Sequence, residues 1–190
     1  MNLFELFISS ILNNNIALVF ILGMCPLIAI STNVKNAKGM GLAVVLVVTL
    51  TAMINWPIYQ LLLKTNTEYI SLIVFIITIA ATVQILEILI EKYIPKLYNA
   101  FGIFLPLITV NCVVLAVSLF FVNRDYNFVQ TTTFAFGSSV GWLLAIVLIA
   151  GLREKMQKIS NPPKGLRGKA IVFFILGVIA LAFMGFTGLV

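Results

Sequence analysis

Six apolar runs, each long enough to cross a lipid bilayer, dominate this chain. They cover approximately Leu3–Ile30, Gly39–Leu63, Tyr69–Ile90, Ala100–Val122, Phe128–Leu152 and Lys169–Val190. A helix rises 1.5 Å per residue, so about 20 residues span a hydrocarbon core about 30 Å thick. In lipid a backbone must satisfy its own N–H and C=O groups, and open runs of this length do so as helices. The expected fold is an all-α polytopic membrane protein, one integral domain over residues 1–190. The connectors are short and polar: Ser31–Lys38, Lys64–Glu68, Glu91–Asn99, Asn123–Asn127 and Arg153–Gly168. Only the last is longer than a turn, and its Asn161-Pro162-Pro163-Lys164-Gly165 is expected to end any helix that enters it. With 62% hydrophobic and only 9% charged residues, the chain has no stretch from which to build a water-soluble domain. Met1–Ser10 carries Glu5 and no basic residue ahead of its apolar run, which argues against a cleaved signal peptide.

The net charge of +6 is a topological signal and does not imply a nucleic-acid partner. Alternating connectors place Lys35, Lys38, Lys92, Lys96, Arg153, Lys155, Lys158, Lys164, Arg167 and Lys169 on one face, leaving only Lys64 and Arg124 on the other. Basic residues accumulate in cytoplasmic loops, so the first face is expected to be cytoplasmic and both termini to lie outside.

The first and fourth runs are interrupted. The first holds Asn13-Asn14-Asn15, Gly23 and Pro26; the fourth holds Gly102, Pro106, Thr109 and Asn111. A proline removes a backbone donor, and polar side chains at membrane depth need partners. Either break alone is explained by a proline kink with asparagines bonding across helices. Both breaks open a set of three runs, which suggests two inverted repeats of approximately 1–98 and 99–190. Inverted repeats place functional sites at broken helices near the midplane. The echoes are short: Cys25-Pro26-Leu27-Ile28 beside Leu105-Pro106-Leu107-Ile108, and Asn14-Asn15-Ile16-Ala17-Leu18 beside Asn111-Cys112-Val113-Val114-Leu115.

Other polar features have plainer readings. Glu87 is a candidate intramembrane carboxylate, but it can equally reach the interface or pair with Lys92. Asn55-Trp56-Pro57 is expected to break the second run near the outer face, where Trp56 and Tyr59 suit an interfacial belt. Gly137, Gly141, Gly177, Gly185 and Gly188 are expected to admit close helix packing.

Two cysteines remain, and histidine is absent. Cys25 precedes Lys35 by ten residues and Cys112 precedes Arg124 by twelve, which puts both near the midplane when counted from opposite faces. Three readings stay open. The thiols can be small buried hydrophobes, a disulfide, or half of a metal site completed by a homologous partner. Two thiolates alone are too few for an iron–sulfur cluster or for structural zinc.

Several longer stretches carry a family resemblance. L-G-M-C-P (22–26), F-G-I-F-L-P-L-I-T-V-N-C (101–112), R-D-Y-N-F (124–128), G-S-S-V-G-W-L-L-A-I-V (137–147), A-G-L-R-E-K-M (150–156), G-L-R-G (165–168) and F-M-G-F-T-G (183–188) span nearly the whole chain. Together they resemble the six-span membrane subunits shared by two redox pumps: the D- and E-type subunits of the Na⁺-translocating NADH:quinone reductase, and the A- and E-type subunits of the Rnf ferredoxin:NAD oxidoreductase. R-D-Y-N-F and the run from V-G-W-L-L-A-I-V to L-R-E-K-M look most like the E-type branch of the former. The cysteine motifs are shared with the Rnf A-type branch.

The resemblance implies six transmembrane helices in two inverted halves, with helices 1 and 4 interrupted. It implies a homologous D-type sister of opposite orientation, and flavin-bearing subunits as further partners. Cys25 and Cys112 would join two cysteines of the sister around one intramembrane [2Fe–2S] cluster. That cluster would relay electrons from NADH-derived flavin toward quinone, coupled to Na⁺ export across the bacterial inner membrane. NAD and flavins would sit only in other subunits. Asn111, Thr109, Pro26 and Pro106 would stand beside the sulfurs. The reading of another class is a small secondary transporter whose broken helices bind an ion directly.

Overall fold

The computed structural model describes residues 3–11, 15–93, 108–159 and 169–187. In order these form α1 (Leu3–Ile11), α2 (Met24–Ile30), α3 (Val34–Lys64), α4 (Ser71–Tyr93), α5 (Cys112–Asn123), α6 (Phe128–Ile159) and α7 (Lys169–Thr187), with a 3-10 turn at Glu68–Ile70. Helices α3, α4 with its leading turn, and α6 are long and apolar enough to cross a membrane; α5 and most of α7 are shorter apolar helices. The protein is an all-helical, multi-pass membrane protein.

The long pair α3 and α6 forms the centre. Along α3 the buried positions are Ala37, Met40, Gly41, Val44, Val47, Val48, Thr51, Ala52 and Asn55, a single stripe at helical spacing. Along α6 Phe134, Trp142, Ala145, Ile146, Ile149 and Ala150 face inward. The outward stripe of α3 (Leu42, Leu46, Leu50, Ile54) is as apolar as the inward one. Hydrophobicity therefore does not select the buried face in lipid. Small residues and polar groups do.

The interior is pinned by a polar node between three helices. Buried Asn55 of α3 donates to Ser118 Oγ of α5 at 2.8 Å and accepts from Thr78 Oγ1 of α4 at 2.7 Å. Each hydroxyl also donates to or lies against a carbonyl of its own helix, so the node costs the backbone nothing.

At the end of the bundle that carries Lys64 and Arg124, α3 and α5 stop in the same way. Asn66 N–H donates to Leu63 O and Thr67 N–H to Leu62 O; Asp125 N–H donates to Val122 O and Tyr126 N–H to Phe121 O. Both are Schellman closures, and the left-handed residue is Asn66 (φ 52°) or Asp125 (φ 48°), side-chain types that tolerate that region. The R-D-Y-N-F stretch then ties that end together. Arg124 lies 5.6 Å above the Phe120 ring and 5.7 Å above the Phe134 ring. Tyr126 O accepts from Trp56 Nε1 at 3.0 Å, Phe128 packs edge-on against Trp56, and Gln130 Oε1 caps the Asn127 N–H.

Several expectations need correction. The second run does not break at Asn55-Trp56-Pro57: α3 continues through Pro57 to Lys64. A proline inside a helix removes one intrahelical donor, and here the flanking turns keep their own bonds, so the helix is not ended. The connector expected over Ser31–Lys38 shrinks to Ser31–Asn33, because α3 begins at Val34. Gly177 and Gly185 of α7 meet no close neighbour among the described residues, since a Cβ at either would find nothing within 4 Å there. Helix α7 touches the rest of the fold along Ile171, Val172, Ile175, Leu176 and Ala180, and both glycines lie off that face. Asn13, Asn14, Gly102, Leu105, Pro106, Leu107, residues 161–165 and Gly188 lie outside the described residues.

Candidate cysteine site at the two helix breaks

The break in the first run is a built feature. After α1 the chain leaves helical geometry over Asn15–Gly23 and resumes as α2 at Met24. Asn15 uses its whole amide. Its Oδ1 accepts from Ala17 N–H at 3.0 Å and Leu18 N–H at 3.3 Å, while Nδ2 donates to Ile11 O at 3.0 Å and across to Gly141 O of α6 at 3.2 Å. Ile16, Ala17 and Leu18 are buried, so the non-helical backbone is covered by protein. Ile21 (φ 54°) and Gly23 (φ 79°) both take left-handed backbone. For a β-branched residue such as Ile21 that conformation is strained.

Helix α6 is the rail on which this broken segment lies. A Cβ at Gly137 would overlap Ser10 Oγ of α1, and one at Gly141 would sit 3.0 Å from Asn15 Nδ2. The expected close packing at Gly137 and Gly141 is therefore present. One residue on, the Trp142 indole closes over Gly23, where a Cβ would lie 2.5 Å from Nε1 and equally close to Val113 Cγ2 of α5. At the C-terminal end of α2, Arg153 Nη1 donates to Ile28 O at 3.2 Å and to Ser31 Oγ at 3.0 Å. By sequence Arg153 falls among the loop cations. It is only 7% exposed and lies inside α6.

The second break is described from Ile108 onward. Ile108–Val110 make a turn, Asn111 leaves helical geometry, and α5 resumes at Cys112. Asn111 is the N-cap, its Oδ1 accepting from Val113 N–H at 3.1 Å. Its Nδ2 is buried and has no hydrogen-bond partner, and the Trp142 Nε1 is in the same condition. Thr109, Val110, Asn111 and Cys112 line a recess of about 200 Å³ together with Ile76, Ile79 and Leu115. A neighbouring recess of about 270 Å³ brings Leu22 beside Cys112.

The two cysteines thus occupy matching places. Cys25 is the second residue of α2 and Cys112 the first of α5, each in the opening turn of the helix that resumes after a break. Both thiols are free; Cys25 is exposed on the chain and Cys112 partly so. The loop before α2 abuts the first turn of α5 through Gly23 and Val113. Helix α5 rises about 17 Å from Cys112 to Asn123, close to the count made toward Arg124 in the sequence. Helix α2 ends at Ile30 and the chain turns, so the helical rise from Cys25 is only about 7.5 Å, shorter than the ten-residue count toward Lys35. The matching element is the cysteine itself. The Cys25-Pro26 and Leu105-Pro106 echo would pair Cys25 with Leu105, which lies outside the described residues. Pro26 is a buried residue in the first turn of α2, where its missing N–H costs little.

Among the described residues no three histidine, cysteine or acidic side chains gather to hold a metal ion. Two free thiols in first turns, Cys25 exposed and Cys112 partly so, are a partial ligand set for a thiolate-bound centre. Glu87 stands on α4, partly buried. Gly137, Gly141, Trp142, Asn15 and Arg153 are the site-building residues. The signal for Asn15 was its place in an apolar run, and that for Gly137 and Gly141 was their G-x-x-x-G spacing. Arg153 gave no signal distinct from its neighbouring cations.

Comparison with known proteins agrees with this architecture. Residues 3–190 match the family described as "Rnf-Nqr subunit, membrane protein". The chain is 49% identical to the E subunit of the Na(+)-translocating NADH-quinone reductase of Maridesulfovibrio salexigens, over 99% of this chain and 98% of that one. The chain belongs to the Rnf-Nqr family of membrane subunits.

Proposed function

We propose that the chain is the E-type subunit of a Na⁺-translocating NADH:quinone reductase, and that Cys25 and Cys112 supply two of the four cysteine ligands of an intramembrane [2Fe–2S] cluster. The observation that carries this reading is the matched placement of the two cysteines, free, at the chain's surface and in the opening turn after each break. A buried packing thiol needs no access to a neighbour, whereas a ligand shared between subunits does. The other two ligands come from a homologous D-type sister of opposite orientation. Bound there, the cluster supplies a one-electron carrier between flavin on the cytoplasmic side and flavin on the far side, toward quinone.

This chain's own residues prepare the site. Asn111 caps the start of α5 and fixes the turn that carries Cys112. Leu22, Leu115, Ile76 and Ile79 keep water from it. Asn111, held by its bond to Val113 N–H, leaves Nδ2 as a donor beside Cys112, and Thr109 lines the same recess. Such groups beside a ligand sulfur tune its basicity. NAD and the flavins belong to other subunits, and Na⁺ export accompanies the electron path.

Two inverted halves account for the order of elements: a break, a resumed helix carrying a cysteine, then a long helix, α3 with 31 residues or α6 with 32, then a third helix. Six spans, termini outside and basic connectors facing the cytoplasm of a bacterial cell follow from this reading. Because the family covers both pumps, the second reading is an A-type subunit of the Rnf complex with the same relay role. The near full-length 49% identity to a reductase subunit favours the first.

The relay role is tested by replacing both cysteines with serine in the assembled complex. NADH oxidation by an artificial acceptor at the flavin subunit is expected to persist, while quinone reduction falls at least a hundredfold. Quinone reduction at the unmodified rate would overturn the relay role.

A further inference from the structure

We propose that Arg153 is the positioning residue for Cys25: a buried guanidinium on α6 that closes the end of the seven-residue helix α2 and fixes the cysteine it carries. Helix α2 cannot hold itself. Seven residues fall well below the length at which an isolated helix is stable. Its N-cap, Gly23, contributes no side-chain bond to the first turn. At its other end the Ser31 N–H takes Leu27 O, leaving Ile28 O to find a donor elsewhere.

Arg153 supplies that donor. Its Nη1 reaches Ile28 O at 3.2 Å and Ser31 Oγ at 3.0 Å, from a residue 7% exposed. The positive charge also sits at the negative end of α2's backbone dipoles. The tether spans 125 residues of sequence, so it fixes α2 to the central helix and not to its own neighbours. Asn15 and Gly23 hold the entry to α2 against Gly141 and Trp142 of the same helix. With Arg153 at the exit, α2 is gripped at both ends by α6. Cys25, five residues before Ile30, can then shift only if one grip opens.

The consequence for the cluster rests on the ligand reading proposed above; the clamp itself does not. The test is hydrogen–deuterium exchange by mass spectrometry on the purified complex, with iron content and the cluster's electron-paramagnetic-resonance line measured in parallel. Arg153→Gln is expected to speed exchange over residues 24–33 about tenfold or more, the effect of losing charge-assisted bonds at one end of a local unit. Exchange over 128–141 of α6 stays unchanged, and the resonance line broadens as Cys25 samples more positions. Arg153→Lys recovers part of the protection, because an ammonium reaches one of the two acceptors. Should Arg153→Gln fail to assemble, Ser31→Ala removes one acceptor and leaves the charge, and about a threefold rise confined to the same segment is expected.

Unchanged exchange over 24–33, or an equal rise along the whole chain, would overturn the clamp. The ligand reading fails separately: if Cys25→Ser leaves iron unchanged while Arg153→Gln still loosens α2, the clamp stands and the cluster assignment falls.

Discussion

Gly137 is the position where the packing account is most exposed to test. Its α6 backbone lies against α1 so closely that an added Cβ would overlap Ser10 Oγ and stand 3.2 Å from Phe7 O. Ser10 is held where it is by its bond to Phe7 O at 2.8 Å, so turning the hydroxyl away breaks that bond. Inserting a methyl group into a filled interface costs about 1–3 kcal/mol. Replacing glycine by alanine in a helix returns about 1 kcal/mol of propensity. Gly137→Ala should therefore destabilise by about 0–2 kcal/mol, towards the upper end because the added carbon overlaps Ser10 Oγ and does not merely touch it. Gly151 lies on the same helix and its Cβ would meet nothing within 4 Å among the described residues. Gly151→Ala should be neutral or stabilise by up to about 1 kcal/mol.

The assay is thermal denaturation of the detergent-solubilised complex, with sodium dodecyl sulfate titration as a second measure. A double-mutant cycle sharpens it. Ser10→Ala removes the overlapping oxygen, so Ser10→Ala with Gly137→Ala should recover about 1 kcal/mol beyond additivity. Equal stability of the Gly137→Ala and Gly151→Ala complexes would refute the close approach of α1 to α6.

Two further perturbations probe the interior and the break. Asn55→Leu removes both bonds of the node to Ser118 and Thr78. Interhelical hydrogen bonds in membranes average about 0.6 kcal/mol, so a loss of about 1–2 kcal/mol in the same denaturation assay is expected, with the relay retained. Gly23→Ala meets both a left-handed backbone (φ 79°) and the Trp142 and Val113 side chains. Complex carrying it should lose at least half of its iron, read by atomic absorption; wild-type iron content would show that the Gly23 contact does not govern the site.

Much of the fold was legible in the sequence because lipid enforces length and polarity. The connectors at Lys64–Glu68 and Asn123–Asn127 lie where polarity put them, and α4 and α6 begin within two residues of the expected starts. Both interruptions were legible because asparagine, glycine and proline are costly in an apolar run. What was hidden follows from the same solvent. Lipid and protein interior are equally apolar, so nothing in Val44 or Leu46 alone tells which faces inward. Only shape separates Gly137 and Gly141, which receive α1, from Gly177, which receives nothing among the described residues. Pro57 looked like a terminator because the local rule ignores how neighbouring helices hold α3.

The cysteines show both sides of this limit. Their association with the two breaks was readable from spacing, and the helical rise after Cys112 matched the length of α5. The rise after Cys25 did not match, because the turn at Ser31–Asn33 shortens the helix that was counted. Arg153 was one cation among ten on its face by sequence. Its role depends on a contact 125 residues away, which no local pattern records.

The central claim is that Cys25 and Cys112 form one side of a shared cluster. Iron per complex and the reduced-state electron-paramagnetic-resonance spectrum test it most directly, comparing the unmodified complex with Cys25→Ser and Cys112→Ser variants that still assemble with the D-type sister. The account predicts that either replacement removes two iron atoms per complex, the content of one [2Fe–2S] cluster, and abolishes one resonance. Unchanged iron and an unchanged spectrum in both variants would contradict it.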